Sequence, residues 1–213
     1  MTLKSLFKAA VAELRKHKIP FAVSGGFAAD LYRHEPRLTM DVDLSIATTS
    51  KPAETGKNII QSLGLSAGIS READLAGGPL FAIRRKSTPP CIVVGRPDGQ
   101  PDQAGVDILL PAIPWVNEAV ERAQHNQVDF GFGPVPALTL EDVIIAKLYA
   151  LNAAQPRAKD LDDLQSIGTS SHTFDAAYLT RRIHDLNIRI PATAKPFIPS
   201  GLLSIVKAAT RKR

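Results

Sequence analysis

The segment Arg37-Leu38-Thr39-Met40-Asp41-Val42-Asp43-Leu44 alternates polar and apolar residues without a break. Alternation of this kind predicts a β-strand, which we place over Leu38–Ile46. Asp41 and Asp43 then project from the same face, with their Cα atoms about 6.5–7 Å apart. Two carboxylates at this separation can converge on a pair of cations about 3.5–4 Å apart. Oxygen ligands with no His or Cys nearby favour Mg²⁺ or Mn²⁺ over zinc.

The sequence just before this strand supports the same interpretation. Phe21–Val23 predicts a short buried strand, and Ser24-Gly25-Gly26 is a tight turn that leads into a helix over 28–32. Glycine lets a phosphate approach the backbone closely, and the amide groups at a helix start favour an anion. Taken alone, the two acids can simply face water, and the turn can be an ordinary strand-to-helix connection. Together they form a much rarer combination, which predicts a phosphate and metal site.

Asp107 is a candidate third carboxylate. It lies inside the apolar strand predicted over Gly105–Leu110, where an acid is costly unless it is paired or bound to a metal. The alternatives are therefore a third metal ligand and a structural salt bridge. Asp129 competes for the first role, although its strand over 127–130 is shorter and ends in glycines.

Lys147 lies on the apolar stripe of a helix predicted over 140–152. Its neighbours three and four residues away are all apolar: Val143, Ile144, Ala150 and Leu151. A lysine is rarely buried without a partner, so it either extends its charged end to solvent or meets an anion such as a triphosphate. The glycines and acids upstream favour the anion.

The chain divides at Gly131–Pro136, a segment rich in helix and strand breakers. Residues 1–135 form a mixed α/β part, and residues 136–213 form a helical part. Apolar periodicity predicts helices over 3–17, 52–63, 114–124, 140–152, 158–167, 174–186 and 201–210. Further strands are expected at 80–86 and 91–95.

Composition excludes several classes of protein. The chain has 213 residues, of which 44% are hydrophobic and 22% charged, so wholesale disorder is excluded. No window offers the roughly 18 apolar residues of a membrane helix, so we expect no membrane partner. Cys91 is the only cysteine, which rules out an internal disulfide and fits a reducing cytoplasm. Residues 181–213 hold eight basic side chains and one acid, a plausible platform for nucleic acid.

Taken together, these residues resemble the nucleotidyltransferase superfamily with the polymerase-β-like fold. The pattern there is a glycine turn, an Asp-x-Asp strand and a later Asp, matched here by Gly25-Gly26, Asp41-Val42-Asp43 and Asp107. The lead-in Arg37-Leu38-Thr39 resembles the bacterial abortive-infection toxins of the AbiEii type. A later motif of that branch is similar to Lys147, Arg157, Lys159-Asp160 and Asp163, a cluster that otherwise describes a solvated helix face.

The resemblance implies an α+β fold, with a nucleotidyltransferase-like mixed sheet flanked by helices and followed by a helical C-terminal region. It also implies roles for the site residues. Asp41 and Asp43 would hold Mg²⁺ or Mn²⁺, and Asp107 would complete the metal site and accept a proton. Nucleotide binding would involve Ser24, Gly25, Gly26, Arg37, Thr39, Lys147, Lys159 and Asp160.

The implied reaction moves a nucleoside monophosphate from a nucleoside triphosphate to an acceptor and releases pyrophosphate. The acceptor would be RNA or tRNA, a protein or a small molecule, and an antitoxin would be a further partner. Two alternatives stay open. One is a small glycosyltransferase that uses Asp-x-Asp, and the other is a nucleotidyltransferase-like pseudoenzyme that acts as a binding module.

Overall fold

The computed structural model describes residues 2–47, 50–71, 90–100, 102–112, 115–151 and 157–211. Its central sheet contains β1 (Phe21–Val23), β2 (Val42–Ile46), β3 (Ser66–Arg71), β4 (Pro90–Arg96) and β5 (Val106–Leu109). These strands lie in the order β1-β2-β5-β4-β3. β2 and β5 are parallel, and the other neighbouring pairs are antiparallel. The register of the parallel pair places Asp43 directly beside Asp107.

Helices flank this sheet. They are α1 (Leu3–Lys16), α2 (Gly25–Asp30), α3 (Pro52–Ser62), α4 (Val116–Ala123), α5 (Leu140–Ala150), α6 (Ala158–Thr169), α7 (Ala176–Asp185) and α8 (Ser200–Arg211), with a 3₁₀ turn at Lys195–Phe197. Polar caps fix where some of them begin. The hydroxyl of Thr139, for example, accepts a hydrogen bond from the backbone N–H of Asp142 at the start of α5. A separate two-stranded sheet pairs β6 (Gln127–Asp129) with β7 (Pro134–Pro136).

The buried apolar residues form two clusters. One joins α1 and α3 to the central sheet and includes Leu14, Leu44 and Ile60. The other joins α2 and α4 to the C-terminal helices and includes Ala28 and Ile144. The second cluster crosses the boundary expected after residue 135, so both parts of the chain contribute residues to it. The division into residues 1–135 and 136–213 stays a prediction.

The α+β class and the predicted helices are confirmed, with ends that differ by a few residues. The strand expected over Leu38–Ile46 is too long, because β2 begins only at Val42. Val42 pairs with the first residue of β5, so the preceding residues have no neighbouring strand in the part of the chain that the structure describes. Leu38 and Met40, 86% and 58% exposed, therefore extend beyond the sheet without cover. No helix among the described residues has the length and apolarity needed to cross a bilayer.

Two strands had no clear signal in the sequence. β3, Ser-Ala-Gly-Ile-Ser-Arg, contains a single large apolar residue, and β7 is a Pro-Val-Pro segment that looks like a strand breaker. Both form through pairing with a partner strand, β4 for the first and β6 for the second. The strand expected at 80–86 lies outside the described residues.

Candidate active site

The glycine turn and β2 meet at the carboxylate of Asp43. The backbone N–H of Ser24 donates to the carbonyl of Asp43 at 2.9 Å, and the N–H of Gly26 lies 3.4 Å from Oδ2 of its side chain. Gly25 has φ +58°, a left-handed conformation, and a methyl group there would overlap the Asp43 carboxylate. Only glycine lets the turn approach the acid this closely.

Gly26 makes room for the segment that leads into β2. A methyl group at Gly26 would overlap the side chain of Thr39 and crowd the guanidinium of Arg37. The hydroxyl oxygen of Thr39 is buried and has no hydrogen-bond partner among the described residues. The structure thus brings Arg37 and Thr39, both predicted from the sequence, against the glycine turn.

The carboxylates of Asp41, Asp43 and Asp107 lie along the paired ends of β2 and β5. Asp43 and Asp107 are register partners. Asp41 lies just before β2, where its Oδ1 accepts a hydrogen bond of 3.1 Å from the backbone N–H of Gly105. Asp43 and Asp107 thus lie on adjacent strands, and Asp41 lies immediately before the first of them.

Asp129, the competing third carboxylate, lies elsewhere, in β6 of the small sheet. Its Oδ1 accepts hydrogen bonds from the backbone N–H groups of Gly131, Phe132 and Gly133. Those bonds lower the pKa of Asp129 and tie it to its own turn. The geometry therefore favours Asp107.

Arg96, at the end of β4, bridges two of the carboxylates. Its Nη1 lies 2.6 Å from Oδ1 of Asp107, and its Nη2 lies 3.3 Å from Oδ2 of the same side chain. Nη2 is also 3.5 Å from Oδ2 of Asp41. Arg96 was not among the residues predicted from the sequence, because its position depends on the register between β4 and β5, in which Val94 faces Asp107. No spacing within the chain signals that contact.

The local environment raises the pKa of two of these acids. Burial raises the pKa of Asp43, and the negative charge of Asp107 raises it further, while Lys147 opposes both. Burial also raises the pKa of Asp107, against the hydrogen bond from Arg96. Ionisation of both acids is therefore costly here, and a bound cation would reduce that cost.

The donor set suits Mg²⁺ or Mn²⁺, since it consists of carboxylate oxygens. As they stand, however, no three ligating side chains in the described parts of the chain converge closely enough to hold a metal ion. Arg96 supplies the positive charge between Asp41 and Asp107 instead.

Lys147 is buried and ion-paired. Its Nζ lies 3.0 Å from Oδ1 of Asp160 and 2.7 Å from Oδ2 of Asp163. The anions that it meets are therefore carboxylates of α6. The interpretation of this part of α6 as a solvated face is wrong for Asp160 and Asp163, which are completely buried because α6 packs against α5.

Asp163 is the centre of this group of charges. It accepts from Nε of Arg37 at 2.7 Å and from Nη1 of Arg33 at 2.7 Å, in addition to Lys147. Burial opposes its ionisation, but the hydrogen bonds from Arg37 and Lys147 outweigh burial and lower its pKa to about 2. We call these residues, with Asp160, the Asp163 cluster. It fastens α5 and α6 to the segment that leads into β2.

Lys159 lies at the start of α6 and is exposed. Its positive charge opposes the rise in the pKa values of Asp43 and Asp107, so it lies within electrostatic reach of both acids. No acid in the described ranges forms an ion pair with it. Lys159 is thus an exposed cation within electrostatic reach of two of the carboxylates.

A family comparison assigns the chain. The model of the AbiEii family, described as the nucleotidyl transferase AbiEii toxin of a type IV toxin–antitoxin system, matches residues 9–202. The chain belongs to the AbiEii nucleotidyltransferase family. The match includes the glycine turn, the three carboxylates and the Asp163 cluster, so the resemblance drawn from the sequence is confirmed. Comparison with curated protein sequences gave no match.

Solved structures show distant similarity to this AbiEii protein. An antigenic nucleotidyltransferase-like protein from Paracoccidioides brasiliensis is 17% identical, with a TM-score of 0.47, covering 99% of this chain and 88% of that one. The antibiotic-resistance factor ANT(2'')-Ia is 16% identical, with a TM-score of 0.48 and coverages of 98% and 91%. MenT4, a nucleotidyltransferase toxin from Mycobacterium tuberculosis, is 12% identical, with a TM-score of 0.42 and coverages of 96% and 81%.

Gly25→Ala is expected to destabilise the AbiEii fold and to disrupt the site. A left-handed alanine costs roughly 1–2 kcal/mol, and its methyl group would also displace the Asp43 carboxylate. Gly64→Ala is the matched control, because Gly64 has φ +73° but open space around it. Chemical unfolding should show a smaller loss for Gly64→Ala, and only Gly25→Ala should lose nucleotidyl transfer, by about 100-fold or more. Equal behaviour of the two variants would contradict the close approach.

Proposed function

We propose that this AbiEii protein is a metal-dependent nucleotidyltransferase, which moves a nucleoside monophosphate from a nucleoside triphosphate to an acceptor. The observation that carries the proposal is the register of β2 and β5, which sets Asp43 beside Asp107 with the Gly25 turn against the same carboxylate. Family membership supports the reaction class. Family membership also favours a nucleotidyltransferase over the glycosyltransferase alternative.

The carboxylates supply the metal ligands in this proposal. Asp41, Asp43 and Asp107 would hold Mg²⁺ or Mn²⁺, which when bound neutralises the triphosphate and acidifies the acceptor hydroxyl. Asp107 would also accept the hydroxyl proton. The acceptor oxygen then forms a bond to the α-phosphorus, and the bond from that phosphorus to the pyrophosphate oxygen breaks. Positioning and electrostatics do most of the work in such a transfer.

The glycine turn and the cations would place the triphosphate. The turn Ser24-Gly25-Gly26 would hold its outer phosphates, because its two glycines have no Cβ that would keep a phosphate away from the backbone. Arg37 and Thr39 lie against that turn and would hold the turn in position for the triphosphate. Lys147 is held by two carboxylates, so we assign it mainly to positioning, together with Asp160. Lys159 has the freer charge for the departing pyrophosphate.

The acceptor and the partner follow from the family and from charge. Type IV toxin–antitoxin membership supports an antitoxin as partner. For the acceptor, RNA or tRNA is favoured by the basic C-terminal segment, residues 181–213, although Arg181 and Arg182 there already contact Glu118. A protein or small-molecule acceptor would use the same carboxylates.

A label-transfer experiment tests this function. The protein is incubated with Mg²⁺, each α-labelled nucleoside triphosphate in turn, bacterial RNA and lysate protein. Label should enter an RNA or protein band with at least one nucleotide, and removal of divalent metal with EDTA should abolish it. Restoring Mg²⁺ should restore the label. Transfer that survives EDTA would contradict the metal dependence. Absence of label with every nucleotide, together with absence of nucleotide binding by calorimetry, would favour the pseudoenzyme alternative.

A further inference from the structure

Arg96 occupies the place between Asp41 and Asp107 where a shared cation would lie. Its guanidinium contacts both oxygens of Asp107 and one oxygen of Asp41, and its Nη1 also donates to the carbonyl of Gly95 at 2.8 Å. The side chain is mostly shielded from solvent. A planar fork of donors suits this double contact with carboxylates.

The backbone beside Arg96 is shaped to admit it. A methyl group at Gly105 would overlap the Arg96 side chain and the carbonyl of Gly95. Gly105 also donates its N–H to Asp41 and accepts from the N–H of Val42 at 2.9 Å. One glycine therefore holds Asp41 in place and leaves space for the arginine that contacts it.

We propose that Arg96 is an internal counter-ion of the carboxylate site, which a divalent cation must displace in order to bind Asp41 and Asp107. This inference rests on the proposed metal-dependent function. The physical reason is that a guanidinium and a divalent cation repel each other strongly over a few ångströms, so they do not share one pair of carboxylates. Binding of the ion is then an exchange of cations. The apparent affinity for metal is the intrinsic affinity multiplied by the fraction of molecules in which Arg96 does not occupy the site.

The test is calorimetric titration of the full chain with Mn²⁺, without nucleotide. Arg96→Gln should bind Mn²⁺ about tenfold more tightly or better, because the competing cation is gone. Without metal this variant should unfold at a lower temperature, since its carboxylates have lost their counter-ion, and Mn²⁺ should raise its Tm more than that of the unsubstituted chain. Arg181→Gln removes the same charge from an arginine that contacts none of the three acids, and should leave Mn²⁺ affinity unchanged.

Arg96→Lys separates exchange from a through-space effect of charge. Lysine keeps the charge but lacks the fork that bridges Asp41 and Asp107, so exchange predicts tighter Mn²⁺ binding than in the unsubstituted chain. Equal affinity of Arg96→Lys and the unsubstituted chain, or no gain in Arg96→Gln, would overturn the proposal. If EDTA still abolishes label transfer in that case, only this inference fails. If transfer survives EDTA, the proposed function fails, whatever the Mn²⁺ affinities are.

Discussion

Asp43→Asn should lower nucleotidyl transfer by about 10³-fold or more and leave the protein at least as stable as before. Asparagine has nearly the same shape but lacks the charge that would hold a metal. Stability should be kept, because burial and the charge of Asp107 raise the pKa of Asp43. A raised pKa means that the ionised acid costs folding free energy at neutral pH, and asparagine removes that cost.

The measurement for Asp43→Asn is label transfer combined with urea unfolding of the same preparation. Asp129→Asn is the matched control, because it makes the same change at an exposed acid away from the site. The amide oxygen of the new asparagine can still accept the hydrogen bonds of the turn. This variant should transfer label at the normal rate. Full activity of Asp43→Asn, or a large loss of stability, would contradict its assignment as a functional carboxylate.

Asp163→Asn, in contrast to Asp43→Asn, should lower the free energy of unfolding by about 3–5 kcal/mol. The same chemical change here leaves Arg33, Arg37 and Lys147 without the carboxylate that they share. The neighbouring Asp162→Asn is the control, since Asp162 also contacts Arg33 but is 61% exposed. Its unfolding free energy should change by no more than about 1 kcal/mol. Similar effects of the two substitutions would contradict a central role for Asp163.

The same cluster predicts how stability depends on pH. The pKa of Asp163 falls from 3.8 to about 2 on folding, so its ionised form stabilises the native state. That contribution, about 2 kcal/mol, is present above roughly pH 4 and is lost as pH falls towards the folded pKa. Urea unfolding across this range should show a steeper acid destabilisation in the unsubstituted chain than in Asp163→Asn. Equal slopes would contradict the lowered pKa.

Local sequence signals predicted much of this molecule. The resemblance to nucleotidyltransferases implied the α+β class, and the mixed α/β part, the helical part and most helices follow from periodicity. The partners of Asp107 and Lys147 do not, because they are set by strand register and by the packing of α6 on α5. The sequence left a salt bridge and a metal ligand open for Asp107, and the structure shows the salt bridge without removing the other role. Alternation also overestimated β2, since it cannot show where the partner strand ends.

The parallel pairing of β2 with β5 also bears on how the chain folds. Asp41 and Gly105 are 64 residues apart, and parallel strands cannot be joined by a hairpin. Chain entropy is lost when so long a loop closes, before the contact contributes any stabilisation. Such pairings therefore form slowly. The carboxylates therefore meet only after the intervening α3, β3 and β4 have been synthesised. A growing polypeptide on the ribosome has no assembled carboxylate site before that point.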